Sequence, residues 1–116
     1  MAICVFHHVP PKGWVELALE MMRVLRPDGL SLVIEHNPYN PVTRRIVNTC
    51  ELDRDAILIS PSNIRKLFCA AGGKDVLIRS TLSVPPKTAL LRRIDRALGR
   101  MPFGAQYYLL AKKRAP

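Results

Sequence analysis

Residues 2–35, AICVFHHVPPKGWVELALEMMRVLRPDGLSLVIE, decide the fold. Ala2 to His7 is an apolar run without polar alternation, the pattern of a strand covered on both faces in a parallel sheet. Pro10, Pro11 and Gly13 interrupt it. From Trp14 to Leu25 the polar residues Glu16, Glu20 and Arg23 fall at i, i+4 and i+7, which predicts a helix with one wet stripe and an otherwise buried surface. Arg26-Pro27-Asp28-Gly29 ends that helix, because Pro cannot continue it and Gly tolerates positive φ. Leu30 to Glu35 then predicts a second strand. Strand, helix and strand in so short a span make one βαβ unit, whose two strands are expected to be parallel neighbours.

Downstream, Asn40-Pro41 is a cap followed by Pro at the first helical position, opening a short helix that carries Val42, Ile46 and Val47. Ser60-Pro61 opens another, with Ile64, Leu67, Phe68 and Ala71 at i, i+3, i+4 and i+7, and Gly72-Gly73 ends it. Val76 to Val84 predicts a strand, Pro85-Pro86 a break, Lys87 to Leu98 a basic helix, and Ala105 to Ala111 a closing strand. The whole chain, residues 1–116, therefore reads as a single α/β domain with about four strands: a parallel pair in the βαβ unit and a carboxyl-terminal strand pair.

Composition sets the bounds. A chain of 116 residues that is 48% apolar is too short for a second full domain and too apolar for a disordered polyelectrolyte. No stretch approaches the roughly 18 uninterrupted apolar residues of a membrane span. Cys4, Cys50 and Cys69 are odd in number and widely spaced, the pattern of reduced thiols, and no basic segment precedes the apolar start, so a cytoplasmic setting is expected. The net charge of +9 is spread over three clusters, Arg44-Arg45, Arg92 to Arg100 and Lys112 to Arg114, with little aromatic interleaving. That disfavours nucleic acid and fits a solvated basic face or a contact to an acidic group.

Ligands in open α/β sheets bind beyond the carboxyl ends of parallel strands. The first strand is expected to end at His7-His8 and the second at Glu35-His36-Asn37, which gathers all three histidines of the chain on one rim with a carboxylate beside them. Such groups can move a proton near neutral pH. A metal is disfavoured, because adjacent histidines on a strand end point to opposite sides and no His or Cys spacing motif is present. The Glu51, Asp53 and Asp55 segment reads as solvated. No serine sits in a nucleophile elbow.

These residues also carry a resemblance. Ile3-Cys4-Val5-Phe6-His7-His8-Val9, the helix end Arg23-Val24-Leu25-Arg26-Pro27-Asp28-Gly29 and the strand Leu30 to Glu35 resemble the later half of class I S-adenosylmethionine-dependent methyltransferases. Glu35 to Pro41 and Leu52 to Ala56 are similar to a bacterial subset, and Gly104-Ala105-Gln106-Tyr107 resembles the family's last strand. The resemblance implies a partial Rossmann-like sheet. Val5, Phe6 and His7 would edge the cofactor, and His8, Glu35, His36 and Asn37 would face a small-molecule or glycan- or lipid-type acceptor, with a histidine or Glu35 as base. The family's Gly-rich turn and its ribose-binding acidic residue have no counterpart: the glycines are Gly13, Gly29, Gly72, Gly73, Gly99 and Gly104, and no Gly-x-Gly occurs. The chain looks like the carboxyl-terminal half of such an enzyme. Alone it is expected to bind S-adenosylmethionine weakly or not at all, to be inactive, and to associate with itself or with an amino-terminal half through a bare first strand. A noncatalytic interaction module and a basic polyanion-binding domain are the alternative readings.

Overall fold

The computed structural model describes residues 1–115. A four-stranded mixed sheet runs in the order β1-β2-β4-β3, with β1 at Ala2–Ile3, β2 at Leu30–His36, β3 at Gly73–Thr81 and β4 at Gln106–Lys113. β1 lies parallel beside β2, pairing Ala2 with Val33 and Ile3 with Ile34. β4 is antiparallel to both β2 and β3. The helices are α1 at Trp14–Arg23, α2 at Pro41–Thr49, α3 at Pro61–Ala70 and α4 at Ala89–Leu98. The α/β class, the strand count and the parallel β1-β2 pair agree with the sequence.

Strand β1 is far shorter than expected. Cys4 still donates to the Ile34 carbonyl at 2.8 Å, but its φ of 53° is left-handed and turns the chain out of the sheet. Phe6–His8 then forms a 3-10 turn instead of strand. A left-handed non-glycine residue costs roughly 1–2 kcal/mol, and here the turn satisfies a buried acid: Val5 and Phe6 donate their N–H groups to Glu35 Oε1 at 2.8 and 2.7 Å. The expected bare edge is accordingly only two residues long.

The local punctuation behaves as its chemistry dictates, except that the left-handed residue after α1 is Asp28, at φ 58°, and not Gly29. Asn40 accepts from the Thr43 N–H and Ser60 from the Asn63 N–H, each ahead of a Pro at the helix start. Thr88 caps α4 by accepting from Leu91 N–H. β3 starts three residues before its expected start, directly at the glycine that closes α3, and a register irregularity between Lys74 and Leu77 accommodates Asp75 at φ 50°.

One face of the sheet is covered. Val33, Tyr107, Leu109 and Ala111 point toward α1 and α3, where they meet Ala18, Met22, Ile64 and Phe68, all buried. Trp14 ties α1 to the histidine turn by donating from Nε1 to the carbonyls of Phe6 and Val9 at 2.8 and 2.9 Å. α1 is less buried than its single polar stripe suggests, because Val15 and Leu19 are exposed, as is Val24 at its carboxyl cap. Only the flank against the sheet and α3 is covered. On the opposite sheet face the register brings together Leu32 with Leu110, Ile34 with Tyr108, and Leu77 with Leu110. None of these is fully buried, and Leu30 on the same face is 64% exposed.

Candidate functional site

At the carboxyl ends of β1 and β2 the 3-10 turn decides where the histidines go. A strand would send His7 and His8 to opposite sides, whereas the turn stacks their rings 4.1 Å apart between centroids. The expectation of divergent histidines is therefore corrected, and its cause is the departure of the chain from the sheet at Cys4. His7 is buried and His8 half-exposed. His36, at the last position of β2, brings its ring to 5.0 Å from that of His7. All three histidines are thus gathered at one end of the sheet.

Glu35 lies behind them. It faces the covered side of β2, is 1% exposed, and places Oε2 2.6 Å from His7 Nδ1. With two backbone N–H groups on its other oxygen, the carboxylate is arranged purely as an acceptor, so His7 Nδ1 carries the proton and Nε2 is turned outward. Both oxygens are occupied, which removes Glu35 from the acceptor-facing set. It orients His7.

Asn37 is also displaced from that set. Its Nδ2 donates to the carbonyls of Pro102 and Gly104 at 2.9 and 2.8 Å, and its Oδ1 accepts from Tyr39 N–H at 3.0 Å. This side chain pins the end of β2 to the segment preceding β4. Of the residues expected to edge a cofactor, Phe6 is fully buried against Phe68, with ring centroids 6.1 Å apart, and offers no side-chain surface. Val5 is partly open, and His7 shows only Nε2 to the cluster.

Asp53, read from sequence as solvated, belongs to the site. A 3-10 turn at Glu51–Asp53 and a backbone bond from Ile57 N–H to the His7 carbonyl at 3.0 Å dock this segment on the histidine turn. Asp53 Oδ1 then lies 3.5 Å from His7 Nε2 and 3.4 Å from His8 Nε2. The usable sequence signal is the segment Leu52 to Ala56, which carries Asp53. Burial, foremost, and the neighbouring His7 hold the His36 imidazole below its ordinary range, against the opposing influence of Asp53 and Glu35. Burial, and then the Glu35 charge, raise the phenol of Tyr107 above its ordinary value, and its hydroxyl donates to the Ile59 carbonyl at 2.7 Å.

Beside the cluster lies a cavity of about 200 Å³. Thr43, Ile46 and Val47 of α2 form one wall and Leu82 and Ala105 another, while His36 and Asp53 supply the polar corner. Ile46 is 62% exposed, so the helix expected to be amphipathic turns part of its apolar surface to this opening rather than to the core.

No protein-family model matches the chain, and no curated protein matches it in sequence. Solved structures do. A SAM-dependent methyltransferase from Archaeoglobus fulgidus superposes with a TM-score of 0.67 at 17% identity, covering 97% of this chain and 57% of that one. A SAM-dependent methyltransferase from Thermotoga maritima, described as a possible histamine N-methyltransferase, superposes with a TM-score of 0.69 at 15% identity, covering 97% of this chain and 53% of that one. The chain thus has a methyltransferase-like fold and spans a little over half the length of these neighbours.

Proposed function

We propose that this chain forms the acceptor side of an S-adenosylmethionine-dependent methyltransferase acting on a small molecule, and that a further segment supplies the cofactor side. The observation that carries the reading is the mostly apolar cavity opening beside His36 and Asp53 at the strand ends of a methyltransferase-like sheet. Methyl transfer from a sulfonium is an in-line displacement that depends on alignment of the nucleophile with the methyl group. The cavity walls would position an acceptor. His36, whose imidazole burial holds below its ordinary range, would take the proton from an acceptor hydroxyl or amine. Apolar side chains on the open sheet face, Leu30, Leu32 and Leu110 among them, support a covering segment on that side.

Titration of the labelled chain with S-adenosylhomocysteine, followed by amide chemical shifts, tests the proposal. Because the Gly-rich turn is absent, saturation is expected only near millimolar concentration, with shifts confined to Val5 to His8 and His36. No localised shift at about 5 mM would overturn the assignment of this rim to the cofactor and acceptor. A second reading, a noncatalytic interaction module, draws on α4, none of whose residues is buried and which carries Arg92, Arg93 and Arg96. Shifts confined to α4 on addition of a polyanion such as heparin, lost steeply with salt, would favour a polyanion contact there. Among the described residues no helix is long and apolar enough to cross a membrane.

A further inference from the structure

We propose that His7, His8 and Asp53 form a binding site for a divalent transition ion of the zinc class, with Glu35 holding His7 from behind. The three ligand atoms all lie within 4.8 Å of one another. Asp53 Oδ1 stands 3.5 Å from His7 Nε2 and 3.4 Å from His8 Nε2. A charge-assisted N–H···O bond between imidazole and carboxylate would be roughly 2.7–2.9 Å, so these groups converge without bonding to one another. The two separations from Asp53 match the edges of a tetrahedron around a metal, and the third, between the imidazoles, lies within 4.8 Å and is closed by the half-exposed His8 when the ion binds. Bonds of about 2.0–2.1 Å at the tetrahedral angle put neighbouring ligand atoms about 3.3–3.4 Å apart, whereas octahedral ligands at the same bond length would be about 3.0 Å apart.

The surroundings fit the same ion. Two imidazoles and one carboxylate are a nitrogen and oxygen set suited to zinc, and the three cysteines lie outside the cluster. Glu35 accepts a hydrogen bond from His7 Nδ1–H, which leaves the Nε2 lone pair free, the carboxylate–histidine arrangement that orients metal ligands. Glu35 is itself held by the N–H groups of Val5 and Phe6. Three protein ligands leave a fourth position open, and Asp53 also lines the cavity, so that position adjoins the acceptor space. An acceptor hydroxyl bound there would lose its proton more readily. That use rests on the proposed methyl transfer; binding of the ion does not.

The experiment uses the chain stripped with chelator and titrated with Zn2+ in competition with a chromophoric chelator, alongside a Co2+ spectrum. One Zn2+ per chain is expected. His8→Ala and Asp53→Asn should each weaken binding at least tenfold, and Glu35→Gln roughly 10- to 100-fold. Far-UV circular dichroism checks that the variants fold. The Co2+ adduct of the parent chain should show the intense visible bands of tetrahedral coordination without a thiolate charge-transfer band. Absence of binding at about 100 μM, equal affinity in the His8 and Asp53 variants, or a thiolate band would each overturn the site. A failed S-adenosylhomocysteine titration would leave these results untouched, so the two proposals fall separately.

Discussion

Replacing Glu35 by Gln changes one buried atom and disturbs three bonds. In the parent chain the carboxylate accepts from Val5 N–H, Phe6 N–H and His7 Nδ1–H. The amide oxygen of Gln can still face the two backbone donors, but its NH₂ then points at His7 Nδ1. The imidazole must surrender that proton and place it on Nε2, the nitrogen 3.5 Å from Asp53. Hydrogen bonds to a charged group are worth about 1.5–3 kcal/mol and neutral ones about 0.5–1.5, so three bonds weakened by about 1 kcal/mol each cost about 3 kcal/mol. A domain of this size holds roughly 5–15 kcal/mol, so Glu35→Gln should fold with a Tm about 10 °C lower. Thermal unfolding by circular dichroism measures the loss, and long-range 15N–1H correlation of the ring nitrogens reads the tautomer of His7. A Tm within 3 °C of the parent, together with an unchanged His7 tautomer, would refute the claim that Glu35 organises the turn.

Because the folded-state pKa of His36 is lowered, the unfolded chain binds more protons below its ordinary value, and stability falls as the pH drops through about 6.5 toward the folded pKa. A His36→Asn variant should therefore lose less Tm than the parent between about pH 7 and pH 5.5; an equal or greater loss speaks against this. Gly104→Ala places a methyl group against Ser80 Oγ and the Thr81 carbonyl and should cost about 2–3 kcal/mol in chemical unfolding, since Gly104 N–H is also bonded to Ser80 Oγ. A midpoint unchanged from the parent would show that the segment before β4 yields freely. Tyr107→Phe removes the bond to Ile59 and should cost about 1 kcal/mol, read in the same assay. Light scattering should show concentration-dependent association through the open sheet face and the short β1 edge, reduced in Leu30→Lys and Ile3→Lys; a parent chain that stays monomeric at about 100 μM counts against it.

Elements whose cause is local were legible in the sequence. Asn40-Pro41, Ser60-Pro61 and Gly72-Gly73 act through groups within a few residues of themselves, and the helices begin and end beside them. The four strands were legible because their apolar runs are bounded by Pro and Gly. The end of β1 was not legible. Nothing between Ala2 and His7 marks a break, since Cys4 takes its left-handed conformation under tertiary demand from a carboxylate about thirty residues away. Asp53 was hidden for a related reason. A short acidic segment looks the same in sequence whether water or histidine faces it, and the choice is made here by the backbone bond between Ile57 and His7. Two acceptor-side assignments moved because a polar residue at a strand end has two possible faces: Glu35 and Asn37 both turn inward, where every polar atom they carry has a partner.

Fold and site meet in that inward carboxylate. An acid buried at the end of a central strand must find donors or remain neutral. Here the donors come from the neighbouring strand, which leaves the sheet early to provide them. The departure winds Phe6–His8 into a turn, and the turn brings two imidazoles side by side where a continued strand would have parted them. The histidine cluster is thus a consequence of satisfying Glu35. A change at residue 35 should alter the tautomer of His7, the spacing of His7 and His8, and the approach of Asp53 together, while a change at Asp53 should leave the turn and the Glu35–His7 bond in place. Ring-nitrogen spectra of Glu35→Gln and Asp53→Asn, compared side by side, would expose that order of dependence: His7 shifted to the other tautomer in the first and unchanged in the second.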